Sequence, residues 1–412
     1  MKFINFQIIR VIQLLFLKSY KNQILIVFTC VYLIAPAHLS TTNLLTNTTK
    51  EIVFSERKSL KIDLFENCIS FPEKDAEKKK RRRTITGFPV LFYTPETRFG
   101  FGAAGVCTFN FKKDSLNAHR SSMNLGFAYT QNKQVLFYLP YFLFFKNRAY
   151  QLYGELGYNR YTYNFYGIGN SEPKDYIEKY GVEFPRLRVT ALKKVTRSFY
   201  AGIRYAFDNY RLFNLDSTGQ LIKKKISGSD GGVVSGIGLV GVYDNRDNVF
   251  YPSKGMYTEL VIYRDAKITG SSFNYTRIAL DAIKYFSYRK NILALNLYSI
   301  YSDSDLPFFQ MGNLGGMKKM RGFYEGRYRD NNLLVVQAEY RRHLFWLLGF
   351  TLFADAGQVA KRYDLFNNDN WRYTYGGGIR LTLDKAQKIN LRIDVAVGDK
   401  NILPYFTIGE AF

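Results

Sequence analysis

Long hydrophobic runs, histidine, tryptophan and cysteine are all scarce in this 412-residue chain. Beyond residue 37, no apolar run approaches the roughly 18 residues of a membrane-spanning helix, so helical membrane domains are excluded there. Three cysteines are too few for a disulfide framework. Three histidines leave little for metal-ligand clusters or for serine–histidine catalysis. The sequence therefore predicts no enzyme, no catalytic residues and no metal site.

The glycine patterns do not indicate a cofactor site either. "GFGAAG" (100–105) and "GIGLVG" (236–241) match a dinucleotide-binding pattern in their letters. That chemistry needs a strand-to-helix turn, whereas both segments lie inside alternating, strand-like stretches. Small residues relieve crowding where a sheet curves, so we expect no cofactor.

Aromatic residues, in contrast, are abundant at 17% of the chain, with 33 tyrosines and 35 phenylalanines. Apolar and polar residues alternate from residue 84 to the end, as in "SSMNLGFAYT" (121–130) and "ILALNLYSIY" (292–301). The candidate strands number about sixteen, and short and long connections alternate between them. This pattern predicts an all-β fold, a transmembrane antiparallel β-barrel, over the alternative of a soluble β-sandwich.

The N-terminus has the features of an export signal. Basic residues precede the apolar "ILIVFTCVYLIAPA" (24–37), which ends in an Ala-x-Ala site at Ala35 and Ala37. A lipoprotein would use Cys30, but Phe28 and Thr29 are poor residues ahead of a lipidated cysteine. We predict a signal peptide (1–37), a polar, basic periplasmic tether (38–83) and a barrel (84–412). The expected location is the outer membrane of a Gram-negative bacterium.

The net charge of +24 would ordinarily suggest nucleic acid as a partner. An exported barrel meets anionic outer-membrane lipids and lipopolysaccharide phosphates instead, so we expect those partners and no nucleic acid. The densest basic run, "KKKRRR" (78–83), lies just before the first strand and could contact an anionic leaflet. A purely solvated run is an equal alternative.

The last predicted strand, "PYFTIGEAF" (404–412), ends the chain on an aromatic residue. Phe406 and Ile408 alternate toward Gly409 and the final Phe412. The segment resembles the C-terminal signal that the barrel-assembly machinery reads on its substrates. The resemblance implies that this machinery is a partner during biogenesis.

Three further segments resemble the BamA/TamA outer-membrane assembly family, also called the bacterial surface antigen family. "MRGFYEGRYRD" (320–330) is similar to the family's Arg-Gly-aromatic loop, which joins the eleventh and twelfth strands there, as it does in our strand count. "LFADAG" (352–357) is similar to the strand that follows that loop. "YDNRDNVFYPSKG" (243–255) is similar to a periplasmic turn of the family, through Asp244, Arg246, Asp247, Pro252 and Gly255.

The region before the barrel departs from the family. Members that assemble or secrete proteins carry periplasmic POTRA domains there, whereas this sequence has only the predicted tether. The chain therefore resembles a POTRA-less branch, whose activity the resemblance leaves open.

Arg321 and the residues beside it, Gly322 and Phe323, are expected to form a brace inside the lumen. Alternation places Glu339 and Asp355 on inward faces, because charge must point away from lipid. The resemblance implies that Arg321 pairs with both acids, for which its planar fork is suited, while Gly322 permits a tight turn. The alternative is an exposed loop with solvated arginines.

The leading hypothesis is a non-enzymatic outer-membrane barrel that helps proteins or lipids insert or cross. It would perturb the bilayer or open a seam between its first and last strands, whose unpaired edges could template an incoming strand. The alternative is a passive channel or surface receptor without assembly activity. A barrel hydrolase is a third possibility that would need a reactive serine.

Overall fold

The computed structural model describes residues 83–111, 120–146, 148–170, 176–345, 347–385, 388–399 and 401–412. The predicted signal peptide (1–37) and all of the predicted tether (38–83) except Arg83 lie outside these residues. Within the described part of the chain, no helix has the length and hydrophobicity needed to cross a membrane.

Sixteen antiparallel strands close a barrel, which confirms the predicted fold, and two further strands form a separate hairpin. In chain order the strands are β1 (Arg83–Thr94), β2 (Arg98–Phe109), β3 (Ser121–Thr130), β4 (Val135–Phe145), β5 (Tyr150–Phe165), β6 (Glu178–Lys194), β7 (Phe199–Phe213), β8 (Gly232–Asp244), β9 (Gly255–Asp265), β10 (Tyr275–Tyr288), β11 (Asn291–Ser302), β12 (Gly312–Leu314), β13 (Tyr328–Asp330), β14 (Asn332–Phe345), β15 (Leu348–Ala360), β16 (Arg372–Asp384), β17 (Ile389–Gly398) and β18 (Asn401–Ile408). Strands β12 and β13 form the separate hairpin, so β11 pairs directly with β14 in the wall.

Helical structure in the described residues is limited to single turns in the connections. These are α1 (Gln220–Lys223) and the 3₁₀ turns Lys267–Thr269, Tyr363–Leu365 and Asn368–Asn370.

The alternation in the sequence becomes an apolar outer face and a more polar inner face. In β11, Leu293, Leu295 and Leu297 point outward and are exposed, whereas Ala294 and Asn296 between them are buried. Successive side chains of a strand point to opposite faces, so a period of two sorts lipid-facing from lumen-facing positions.

The two ends of the barrel differ in the length of their connections. At the turn end, where β1 begins and β18 ends, adjacent strands are joined by short segments such as 146–149, 289–290 and 385–388. At the loop end, longer segments join them at 166–177, 214–231, 303–331 and 361–371. The third of these, residues 303–331, contains β12 and β13 and is called the inserted loop below.

The barrel closes at a seam between β1 and β18 that is sparsely paired. Strand β1 pairs with β2 along its whole length, from Arg83 to Thr94. Between β1 and β18, the register joins Tyr93 to Phe406 and no other described residues. One edge of β1 and one edge of β18 therefore lack the ladder that joins every other pair of neighbours in the wall.

The end of β18 corrects the prediction of a strand over residues 404–412. The strand stops at Ile408, and Gly409 adopts a left-handed backbone (φ +87°) while its N–H donates to the Asn390 carbonyl at 2.8 Å. A positive φ breaks the extended conformation, and glycine tolerates it without a steric cost. The last residues therefore turn away from the wall.

Candidate functional site in the barrel lumen

The inserted loop folds back into the lumen. Its strands β12 and β13 pair with each other, and Leu314, Met320 and Phe323 are buried against wall residues such as Leu333 and Val335. Burying large apolar side chains of this kind contributes about 1.5–3 kcal/mol each. The loop is thus an internal element of the barrel with its own apolar contact to the wall.

Arg321 lies at the tip of this loop between two wall carboxylates. Its Nη2 donates to Oε2 of Glu339 and its Nη1 to Oδ2 of Asp394, both at 2.6 Å. The guanidinium carbon lies 3.5 Å from the centre of the Phe353 ring. All three charged side chains are 0% exposed. Buried charges are tolerated where they are paired and hydrogen-bonded, and Arg321 meets both conditions.

Gly322 occupies a position that a side chain could not share. Its φ is +111°, and an added Cβ would lie 2.9 Å from the carbonyl carbon of Val397. Its N–H donates to the Tyr405 hydroxyl at 3.0 Å. The close approach of loop backbone to β17 and β18 positions Arg321 beside Asp394, which explains the glycine after the arginine.

Further arginines complete the coordination of the same two acids. Arg341 donates from Nε to Oε1 of Glu339, and Arg380 from Nη1 to Oδ1 of Asp394, both at 2.6 Å. Both oxygens of each acid therefore accept a charge-assisted bond, and these bonds are the stronger class. The network links the inserted loop to β14, β16 and β17.

Residues Gly409–Phe412 join this network from the turn end. Glu410 accepts from Arg380 at 2.7 Å, and the main-chain oxygen of Phe412 accepts from Arg341 at 2.7 Å. The Phe412 side chain packs against the buried cluster of Ile283, Tyr285 and Ala294 on the inner face of β10 and β11. In the folded barrel, Phe412 therefore does not continue the outward face of β18, where Ile408 is exposed. The expected alternation through Phe412 is replaced by a segment tucked into the lumen.

The structure brings Arg321 and Glu339 together, but the expected contact with Asp355 is absent among the described ion pairs. The residue directly opposite Glu339 on β15 is Phe353, which takes the face of the guanidinium. Asp355 lies two residues further along the strand, 3.5 Å from the Thr374 hydroxyl. The second carboxylate comes from Asp394 instead. Its inward position in "NLRIDVAVG" could have been inferred by applying the inward-charge rule to β17.

The predicted periplasmic turn is a self-contained motif between β8 and β9. Arg246 binds Asp244 through two bonds of 2.9 Å, and Gly255 has a φ of +103° that suits glycine. Asp247 accepts from the Ser253 N–H at 2.8 Å, and Pro252 is buried. Burial opposes ionisation of Asp247, but the bonds from Ser253 outweigh it and hold its pKa below the ordinary value.

A metal-binding arrangement is not found among the described residues. The chemistry available in the lumen cluster is instead that of a buried ionic network. Such a network fixes the position of a loop, and removal of one partner is costly because it leaves the others uncompensated.

We predict that Arg321→Ala lowers the melting temperature of the refolded barrel, because Glu339 and Asp394 lose a shared buried partner. Breaking such a pair costs about 3–5 kcal/mol. The loop should also become accessible to trypsin at Lys318 and Lys319. Arg321→Lys should rescue only partly, since an ammonium lacks the bidentate fork.

Two comparisons give this prediction its controls. Arg362→Ala removes an exposed pair with Asp364 at the loop end and should melt like the unaltered protein. Asp394→Asn should destabilise more than Asp355→Asn, because Asp394 is the residue that contacts Arg321. A wild-type melting curve and equal protection of the loop in Arg321→Ala would show that no brace exists.

The fold resembles that of solved outer-membrane proteins. BamA from Haemophilus ducreyi lacking POTRA domains 1–3 matches with a TM-score of 0.53 and 14% identity, over 80% of this chain and 70% of that one. CdiB from Acinetobacter baumannii matches with a TM-score of 0.54 and 14% identity, over 80% and 60%. CdiB from Escherichia coli gives 0.54 and 11%, over 83% and 63%. At these identities the likeness shows the fold alone.

The chain spans less than two thirds of the length of either CdiB. No curated protein sequence matches it. The model of the Omp85 superfamily domain, however, matches residues 115–412, which include β3 to β18, the inserted loop and the lumen cluster. That match covers well over half of the chain, and it agrees with the barrel and with the loop motif at Arg321. The chain belongs to the Omp85 superfamily.

Proposed function

We propose that this protein is a non-enzymatic outer-membrane barrel that assists the insertion or translocation of proteins or lipids. Omp85-superfamily barrels reside in the outer membrane of Gram-negative bacteria. In this proposal the turn end faces the periplasm and the loop end faces outward. Its clients are other outer-membrane proteins or lipids that pass along or through the barrel wall.

The seam between β1 and β18 is the observation that carries the proposal. A strand edge without a partner presents rows of N–H and C=O groups to any extended chain that approaches. Here the two edges meet at Tyr93 and Phe406 alone among the described residues. Separating these strands breaks far fewer ladder bonds than separating any other neighbours, so an incoming strand competes at this position most easily.

The alternative function, a passive channel, is less well supported because the lumen is occupied. The inserted loop packs against the wall through Leu314, Met320 and Phe323 and is anchored by Arg321. A steady aqueous pore needs an unobstructed lumen along the barrel axis. The same loop also packs against β5 and β6, where its Phe308 is buried beside Phe165 and Tyr180. Residues 409–412 occupy further lumen space through their bonds to Arg341 and Arg380.

Charge at the turn end fits a contact with anionic phospholipid headgroups. Among the described residues of the turn end, exposed lysines and arginines far outnumber exposed acidic residues such as Asp247. The exposed cations are Arg83, Arg120, Lys146, Lys193, Lys194, Arg197, Lys254, Lys284, Arg289, Lys290, Arg342, Lys385 and Lys388. Each basic residue near an anionic surface contributes about 1 kcal/mol of attraction. At the loop end, the exposed Lys223, Lys224 and Lys225 suit lipopolysaccharide phosphates.

A disulfide across the seam should slow client insertion. We would place cysteines at Tyr93 and Phe406, which are register partners, in a background without native cysteines. The probe is an unfolded eight-stranded barrel protein added to vesicles that contain the refolded chain. We expect the oxidised variant to convert the probe to a protease-resistant form several-fold more slowly, and reduction to restore the rate.

The matched control places cysteines at Leu91 and Phe101, which are register partners in the fully paired β1–β2 ladder. Oxidation of that pair should leave the insertion rate unchanged. Equal rates for the locked and the unlocked seam would exclude the seam as the route, and no acceleration by the unaltered chain would exclude assistance of insertion.

Single-channel recording should show a trace that is mostly closed. We expect frequent openings for Arg321→Ala, because the inserted loop loses its anchor and vacates part of the lumen. Arg362→Ala, which removes an exposed pair, should stay closed. A steady, large conductance in the unaltered protein would instead support the channel.

Removing Phe412 should lower the amount of protein in the outer membrane while leaving export intact. We propose that Phe406, Ile408, Gly409 and Phe412 form the segment that the barrel-assembly machinery reads before the barrel closes. Because Phe412 also contacts Arg341 in the folded state, the melting temperature of the purified, refolded deletion variant must be measured as well. A loss of abundance with a nearly unchanged melting temperature identifies recognition, and unchanged abundance contradicts it.

A further inference from the structure

A second part of the lumen, away from Arg321, contains a cavity of about 410 Å³. It is lined by residues of β4–β11 and by Gln310 of the inserted loop. The arginine network lies on the opposite side, on β14–β18. A volume of this size falls within the range of about 300–1,000 Å³ that is common for small-molecule sites.

Three guanidinium groups line the cavity, those of Arg188 on β6, Arg204 on β7 and Arg277 on β10. Glu155 is the acidic residue in the lining. Arginine presents a fork of donors that matches the oxygens of a phosphate or a carboxylate. The surface of the cavity is therefore cationic and rich in hydrogen-bond donors.

The acids that hold two of these arginines are not part of the lining. Asp208 is fully buried, and its Oδ1 accepts a hydrogen bond of 3.0 Å from Nη1 of Arg188. Glu259 likewise pairs with Arg204. These acids fix the orientation of the two guanidinium groups and compensate part of their charge, so both groups are preorganised in the cavity wall.

Arg277 differs from the other two because no described carboxylate forms an ion pair with it. Its Nη1 donates to Oε1 of Gln310 at 3.1 Å and approaches the Gln310 carbonyl at 3.4 Å. The fully buried Asp265 on the neighbouring strand acts on it only from beyond ion-pair distance. An anion bound beside Arg277 would stabilise this half-buried cation, whose direct partners are neutral. The electrostatic attraction is stronger there than in bulk water because the lumen screens charge less.

Aromatic rings form much of the rest of the lining. Tyr138, Tyr153 and Tyr298 contribute apolar ring faces and hydroxyl groups to the lining, and Phe142 contributes an apolar ring face. Amphipathic rings of this kind contact the carbon framework of a polyol or a sugar while the hydroxyls reach its oxygens. The lining thus offers both an anion site and a surface for the body that carries the anion.

We propose that this cavity binds a phosphorylated polyol or sugar, with the phosphate held by Arg188, Arg204 and Arg277. The same chemistry occurs in a free phosphate ester and in the headgroup of a phospholipid. The proposal does not depend on the seam, so it stands or falls separately from assisted insertion.

The test uses calorimetric titration of the full chain, refolded in an uncharged detergent, with glycerol 3-phosphate as the probe and glycerol as the uncharged match. We expect glycerol 3-phosphate to bind and glycerol not to bind. Arg277→Gln, which keeps a polar group beside Gln310, should weaken binding about tenfold or more. Arg264→Gln, an exposed loop-end substitution outside the lining, should bind like the unaltered chain.

Two further measurements keep the outcome decisive. If Arg277→Gln does not refold, the salt dependence of glycerol 3-phosphate binding to the unaltered chain replaces it as the test. The affinity must fall as the salt concentration is raised, because the contact is between charges. Competition by detergent-dispersed phosphatidylglycerol assigns the site to a headgroup, and its failure assigns it to a free ester. Absence of binding to the unaltered chain, or equal affinity in Arg277→Gln, would overturn the proposal.

Discussion

The buried contact of Arg321 with Glu339 and Asp394 is the interaction on which the interior of this barrel depends. It joins a loop that enters from one end to two wall strands that are not neighbours, β14 and β17. None of the three charges reaches solvent, so each one is tolerable only while the others are present. The positions of the loop, of these strands and of the residues after β18 are therefore linked, since Arg341 and Arg380 extend the same network to Glu410 and Phe412.

The wall of the barrel was predictable from the sequence because its rule is local. A period of two places one side chain in lipid and the next in the lumen, and each strand can be recognised without knowing its neighbours. The same rule, with the inward preference of charge, correctly directed Glu339 inward. No local pattern indicated β12 and β13, because these three-residue strands form only where the loop closes on itself.

The contacts that sequence reasoning missed are those between distant segments. Whether Arg321 meets Asp355 or Asp394 depends on the register of β15 against β14, which puts Phe353 opposite Glu339. That register cannot be deduced from alternation, because a shift by two residues preserves the pattern. The inward turn at Gly409 was missed for a related reason. The glycine itself can be read from the sequence, but the turn also depends on the partners of Glu410, which lie on the distant strands β16 and β17.

The two edges of the seam are anchored unequally. Strand β18 and its neighbour β17 are held from inside by the Arg321–Asp394 pair and by the bond from Gly322 to Tyr405. Strand β1 has no ion pair to the inserted loop among the described residues, and the loop reaches only the turn after it, where Glu96 accepts from the Glu325 N–H. Moving β18 breaks the buried hydrogen bond from Gly322 to Tyr405 and pulls on Glu410, which follows β18 and binds Arg380. Moving β1 breaks no such contact among the described residues. The barrel is thus mechanically asymmetric at the seam: β18 is anchored to the interior, whereas β1 is held mainly by its pairing with β2.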